Sequence, residues 1–262
     1  MSTRIQETFK KAGPNKVMSL FITAGYPSLE DTVELVLTCV ASGADMIELG
    51  MPFSDPLADG PTIQESSNVA IENGVTLPII FDMVTKIRQQ SDVPIILMGY
   101  INPLISFGLE SFCKEASMAG VDGLIIPDMP IDEQDILMSY VQKYHLSMIH
   151  LVAPNTTDER MRLVDQHSNG FVYCVSVTGV TGTRDGSTVL ESVDTFIDRV
   201  KVNITQNPVL VGFGITSKQD ALQISRKTDG YIVGSALIQT IKESYPNKEW
   251  MKTVGSFVKS LR

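Results

Sequence analysis

A chain of 262 residues with 43% hydrophobic content can bury one substantial core, and no linker or low-complexity tract divides it, so a single domain over 1–262 is expected. The net charge of −9 at pH 7 and pI near 4.8 oppose the diffuse attraction to phosphate backbones on which nucleic-acid binders rely, and no basic stripe offsets them. No run of about 18 apolar residues could cross a bilayer, and Met1 to Lys11 lacks a signal peptide's apolar centre; a soluble, cytoplasmic protein without membrane or nucleic-acid partners is expected.

Met1 to Lys11 has instead the mixed polar and apolar spacing of a helix. Eight apolar, β-branched runs follow at Met18 to Thr23, Met46 to Leu49, Ile95 to Gly99, Gly123 to Ile126, Ser147 to Val152, Phe171 to Ser176, Val209 to Gly212 and Tyr231 to Val233. Between them, helical periodicity spans Leu29 to Ala41, Leu77 to Gln90, Leu109 to Ala119, Glu133 to Tyr144, Asp158 to Gln166, Val189 to Val202 and Ser217 to Arg226. Several of these end in glycine punctuation, as at Gly43 and Gly120.

Eight strand-helix units in this length predict a single (β/α)8 TIM barrel with an extra N-terminal helix, rather than an open doubly wound sheet. The first glycine-bearing turn lacks G-x-G-x-x-G, which disfavours a dinucleotide-binding domain. The N-terminal helix is expected to plug the barrel's bottom and Trp250 to Leu261 to form a helix outside it. Cys39, Cys113 and Cys174 are odd in number and far apart, which fits buried apolar roles. His145, His150 and His167 lack metal-ligand spacing, so no metal is expected.

Such a barrel carries its chemistry at the carboxyl ends of its strands. Alternation in Met46 to Gly50 sends Ile47 and Leu49 to one face and Met46 and Glu48 to the other. A carboxylate on an otherwise apolar inner face needs a partner or a shifted pKa, which makes Glu48 a candidate acid or base, with Asp59 the second carboxylate in the following stiff, acidic loop. Gly179 to Gly182, Gly212-Phe213-Gly214 and Gly234-Ser235 follow the last three strands, and a helix starting at Gly234-Ser235 would aim its positive end at the same spot. Together they read as a phosphate cradle, although any one glycine pair would also suit an ordinary turn. Phe21, Met98, Tyr100, Ile125, Tyr173 and Phe213 could form an apolar slot above the barrel, or each could be ordinary core.

The stretch Glu48 to Gln64, with Phe21 to Pro27, Tyr100 to Pro103, Gly120 to Asp128, Gly179 to Gly182 and Gly212 to Gly214, resembles the α subunit of tryptophan synthase over nearly the whole chain. The resemblance implies retro-aldol cleavage of indole-3-glycerol phosphate to indole and glyceraldehyde 3-phosphate. It implies that Glu48 is the principal acid/base and that Asp59 binds the indole N–H. Phe21, Ile63, Tyr100, Ile125, Tyr173 and Thr181 would contact substrate, while Gly182, Gly212, Phe213, Gly214, Gly234 and Ser235 would hold phosphate. No metal or organic cofactor is implied. A pyridoxal phosphate-dependent β subunit is implied as partner, in an α2β2 complex, facing the loops with Ser54, Asp55 and Pro56 and with Asn102 and Pro103. For Asp55 a turn or capping role is the alternative. Two other readings remain open: a phosphate-binding barrel isomerase, and a catalytically weak α subunit that mainly activates its β partner, against which the presence of Glu48 and Asp59 argues.

Overall fold

The architecture follows from eight strands too apolar to leave either face in water. In the computed structural model, which describes residues 3–13, 15–175, 186–212 and 214–262, these strands are β1 (Val17–Thr23), β2 (Met46–Gly50), β3 (Ile95–Met98), β4 (Gly123–Ile125), β5 (Ser147–Val152), β6 (Val172–Val175), β7 (Val209–Gly212) and β8 (Gly230–Val233). All are parallel, and β8 returns to pair with β1, closing the barrel in chain order.

An outer layer of helices covers the strands: α2 (Asp31–Ala41), α3 (Pro61–Glu72), α4 (Leu77–Arg88), α5 (Ile101–Phe107), α6 (Leu109–Ala119), α7 (Asp135–Lys143), α8 (Asp158–His167), α9 (Gly186–Asn203), α10 (Lys218–Ile224), α11 (Ser235–Ser244) and α12 (Trp250–Ser260), with α1 (Thr3–Ala12) preceding them. Periodicity did not reveal α3 or α5. The buried residues of α3 are Ser66, Ser67 and Ala70 rather than large apolar side chains, and α5 is only seven residues long with a proline inside it. The expected helix from Ser217 ends as α10 at Ile224 and continues as a 3-10 turn. α6 closes as expected on left-handed Gly120, whose N–H reaches the carbonyl of Ala116.

Two apolar cores result from strand alternation. Met46, Ile96, Ile125, Ile149, Phe171, Leu210 and Ile232 fill the barrel, with Ile5 of α1 inserted among them and Phe9 and Ala12 against them. That insertion is the expected plug. Ile47 and Leu49 belong to the second core, between strands and helices, and α12 packs on α2 and α11 outside the barrel. The three cysteines are free and buried.

The lower rim has a fourfold pattern. A residue one to three positions before each even strand exchanges two hydrogen bonds with the odd strand before it. Asp45 accepts from Met18 N (2.8 Å), Asp122 from Ile95 N (2.9 Å), Asn169 from Met148 N and Asp229 from Val209 N (2.8 Å). Each also returns its own N–H to that residue's carbonyl. At these four places an amide at the start of an odd strand, in its first or second residue, gains a side-chain acceptor. Asp122 is held further by Arg88 at 2.6 Å and by Arg4 of α1 at 3.3 Å, which ties the plug helix to the rim.

Candidate active site

Glu48 points into the barrel, as alternation on β2 requires, and is fully buried. Its Oε1 accepts from the Ser19 hydroxyl at 2.7 Å, while Oε2 has no hydrogen-bond partner among the described residues. Burial raises the carboxyl to about 8, against the opposing effect of the Ser19 hydrogen bond. Near neutral pH such a group can hold a proton and release it. Sequence reasoning had not singled out Ser19. Its only signal was a hydroxyl in a strand whose seven positions are all buried.

Asp59 lies in the loop between β2 and α3, half-buried. Burial pushes its carboxyl upward, and a hydrogen bond from Tyr100 works in the other direction. The Tyr100 hydroxyl also accepts from Ala58 N at 3.0 Å, so one phenol anchors the end of this loop. Asp59, Phe21, Ile63, Met98 and Tyr100 line one cleft, together with the glycines at the ends of β2 and β3. Those glycines make room. A Cβ on Gly50 would stand 2.5 Å from Phe21 Cζ, and one on Gly99 would stand 2.9 Å from Met51. Ile125 is fully buried in the inner core and does not line this cleft.

Tyr173, on β6, connects the carboxylates to the opposite rim. Its phenol is pushed well above the ordinary range by burial first and then by the negative charges of Glu48 and Asp59. The same hydroxyl lies 2.6 Å from where a Cβ on Gly212 would stand. Gly212 therefore has a second reason to be glycine besides backbone access. Gly214 adopts a left-handed φ of +51°. Gly234 caps α11, whose first turn has no side-chain cap and leaves its N–H groups for an anion. A Cβ at Gly234 would lie 3.4 Å from Phe21 Cβ. Phe21 thus spans from the β2 end to the β8 end, and Ser235 opens α11 beside it. Thr181, Gly182 and Phe213 lie outside the described residues.

The two segments anticipated as partner-facing loops are neighbours, although the one with Asn102 and Pro103 is the helix α5 rather than a loop. Phe53 and Tyr100 stack with centroids 5.4 Å apart, and Asp128 accepts from Ile101 N at 3.0 Å, holding the start of α5. Ser54, Asp55 and Asn102 are exposed, with Pro56 and Pro103 half-buried. The Ser54 hydroxyl donates to Asp55 at 2.6 Å. Leu57 is 94% exposed and Ile105 54% exposed on the same segments. Neither was anticipated: Leu57 lies in a loop without periodic signal, and Ile105 lies on α5, which is too short to show a period. Among the described residues no helix is long and apolar enough to cross a membrane, and no group of three His, Cys, Asp or Glu is arranged to hold a metal.

The sequence matches the family described as tryptophan synthase alpha chain over residues 9–260. It is 44% identical to the tryptophan synthase alpha chain of Flavobacterium johnsoniae over 242 residues, covering 92% of this chain and 95% of that one. Identity to the tryptophan synthase alpha chain of Geobacter sulfurreducens is 45%, covering 99% and 98%. The fold superposes on the crystal structure of tryptophan synthase subunit alpha from Legionella pneumophila str. Paris with a TM-score of 0.91 at 37% identity, covering 100% of this chain and 97% of that one.

Proposed function

This chain belongs to the tryptophan synthase alpha chain family, a family of carbon-carbon lyases that cleave indole-3-glycerol phosphate to indole and glyceraldehyde 3-phosphate, and from that premise we propose that Glu48 and Asp59 carry the cleavage here. Glu48 protonates indole C3, which turns the ring into a cationic indolenine. Asp59 accepts the indole N–H and stabilises that charge. The Glu48 carboxylate then takes the proton of the glycerol hydroxyl next to the breaking bond, the bond electrons return to the ring, and indole and the aldehyde separate. One proton leaves Glu48 and one returns, so the enzyme ends as it began.

The observation that carries this reading is the placement of Glu48, fully buried inside the barrel with Oε2 unpartnered among the described residues, on the strand whose end at Gly50 lines a cleft with Asp59. The Tyr173 hydroxyl abuts Gly212 on the rim read as the phosphate cradle. A flat ring in this mouth would lie against Phe21, Ile63, Tyr100 and Tyr173, with Ile125 beneath, and Thr181 would close over it. Its phosphate would meet main-chain amides at Gly182, Gly212, Phe213, Gly214, Gly234 and Ser235. The activity serves tryptophan biosynthesis, in the cytoplasm in our reading.

Ser54, Asp55, Pro56, Asn102 and Pro103 face a pyridoxal phosphate-dependent β subunit in an α2β2 complex. Exposed Leu57, in the loop of Ser54 to Pro56, and Ile105, on α5 with Asn102 and Pro103, support an apolar centre for that contact. The deciding experiment is steady-state formation of glyceraldehyde 3-phosphate from indole-3-glycerol phosphate, with and without added β subunit. Product formation in either arm, raised by the partner, is expected; none in both would defeat the assignment of Glu48 and Asp59.

A further inference from the structure

We infer that Ser19 is a positioning residue that fastens Oε1 of Glu48 to the barrel interior, so that Oε2 alone exchanges protons with substrate. This rests on Glu48 being the acid/base. Ser19 is fully buried, and its inward neighbours on β1 are Val17 and Phe21. It pairs in register with Met46 and Ile232, one inward layer below the level of Glu48, which pairs with Phe21 and Ile96. A hydroxyl among such residues is costly unless it is hydrogen-bonded, and its partner is Glu48 Oε1 at 2.7 Å. Oε2 is the carboxylate atom left without a partner among the described residues.

The chemistry of a hydroxyl suits both halves of the cycle. When Glu48 is ionised, Ser19 donates a charge-assisted hydrogen bond to Oε1. When Glu48 is protonated on Oε2, the same O–H still donates to Oε1, now a carbonyl oxygen, without turning. A proton on Oε1 would have to donate back to Ser19 Oγ and turn the Ser19 O–H away from its acceptor into apolar surroundings, so Ser19 favours Oε2 as the site that loses the proton to carbon and later regains one from the hydroxyl. The titratable group facing Glu48 across the barrel is the Tyr173 phenol of β6, which Asp59 also faces. From β1, β3, β4, β5 and β8 the inward side chains in the core are Phe21, Ile96, Ile125, Ile149 and Ile232, none of them charged. Ser19 is thus the hydrogen-bond donor that favours the ionised form of Glu48, against its burial.

The test compares Ser19→Ala and Ser19→Thr with the parent full chain, alone and with its β subunit. In 13C-glutamate-labelled protein the Glu48 carboxyl resonance, assigned by its loss in Glu48→Gln, is titrated with pH. Loss of the hydroxyl should raise the Glu48 midpoint by about one to two pH units. It should also lower kcat about tenfold, with KM within about threefold of the parent, and Ser19→Thr should recover both. An unshifted midpoint in Ser19→Ala, or an unchanged kcat, would overturn the inference. The titration reads the hydrogen bond directly, so its failure is distinct from that of the catalytic reading, which turnover by Glu48→Gln would refute.

Discussion

The Tyr173 hydroxyl occupies the space a Gly212 side chain would fill: a Cβ there would stand 2.6 Å from Tyr173 Oη and 3.0 Å from Cε1. The end of β7 is therefore coupled to the aromatic wall of the site. Gly212→Ala should tilt the ring and lower kcat/KM about ten- to a hundredfold, since a small displacement of a positioning group is amplified in rate. Kinetics on the variant, beside a thermal melt within a few degrees of the parent, would check this. Parental kcat/KM would show that the ring has room to give.

Glu48→Gln should abolish cleavage while leaving the affinity for indole-3-propanol phosphate within about threefold, because shape is kept and proton exchange is lost. In the parent, kcat/KM should fall as pH rises through about 8, where the buried carboxyl loses the proton it must donate. The same group affects stability. Its folded-state pKa is raised from 4.5 to about 8, so the folded protein binds the extra proton and the contribution of Glu48 to stability declines between those pH values as pH rises. Urea midpoints for parent and Glu48→Gln should diverge in favour of the variant toward pH 9.

Gly234→Val should weaken phosphate binding with the fold retained. Its Cβ alone would already approach Phe21 Cβ to 3.4 Å, and the branched methyls would stand over the open first turn of α11. Calorimetry with indole-3-propanol phosphate should give a Kd raised at least about tenfold. An unchanged Kd would count against the cradle.

Asp122→Ala should destabilise the barrel by about 3 kcal/mol or more, because it strands Arg88 and the Ile95 amide in a largely buried place. For a chain of this size that is a melting temperature lower by about 10 °C. Turnover at 25 °C should stay within about twofold, since the bracket lies on the face away from the chemistry. Asp122→Asn, which keeps an acceptor for Ile95, should lose less.

His150, on β5, is buried with Nε2 unpartnered among the described residues, and burial, then His167 and Arg160, lowers its pKa from 6.5 to about 4. The unfolded chain binds the proton more readily in that interval, so stability is full above about pH 6.5 and is lost as pH falls toward 4. The loss amounts to about 3 kcal/mol. Between about pH 4.5 and 6.5 this opposes the contribution of Glu48, so the check is a difference: the denaturant midpoint of His150→Gln relative to the parent should rise as pH falls through this range.

Much of this protein was legible in one dimension. A strand's period of two is local, so the inward placement of Glu48 and the outward placement of Ile47 could be read from five residues, and repetition of apolar runs announced the closed barrel. The glycines at the ends of β7 and β8 were equally visible, because only particular backbones need them. α3 and α5 were not, since one buries serines and the other is too short to show a period.

What closure of the barrel alone decided is which side chains meet across it. Ser19 and Glu48 are 29 positions apart in the chain, Tyr173 reaches Gly212 on the neighbouring strand, and Asp122 gathers Arg4, Arg88 and the Ile95 amide at one point. Local patterning says which face a residue takes, but hydrogen bonds and close contacts depend on strand register and on distances of a few ångströms, which exist only once the last strand has paired with the first.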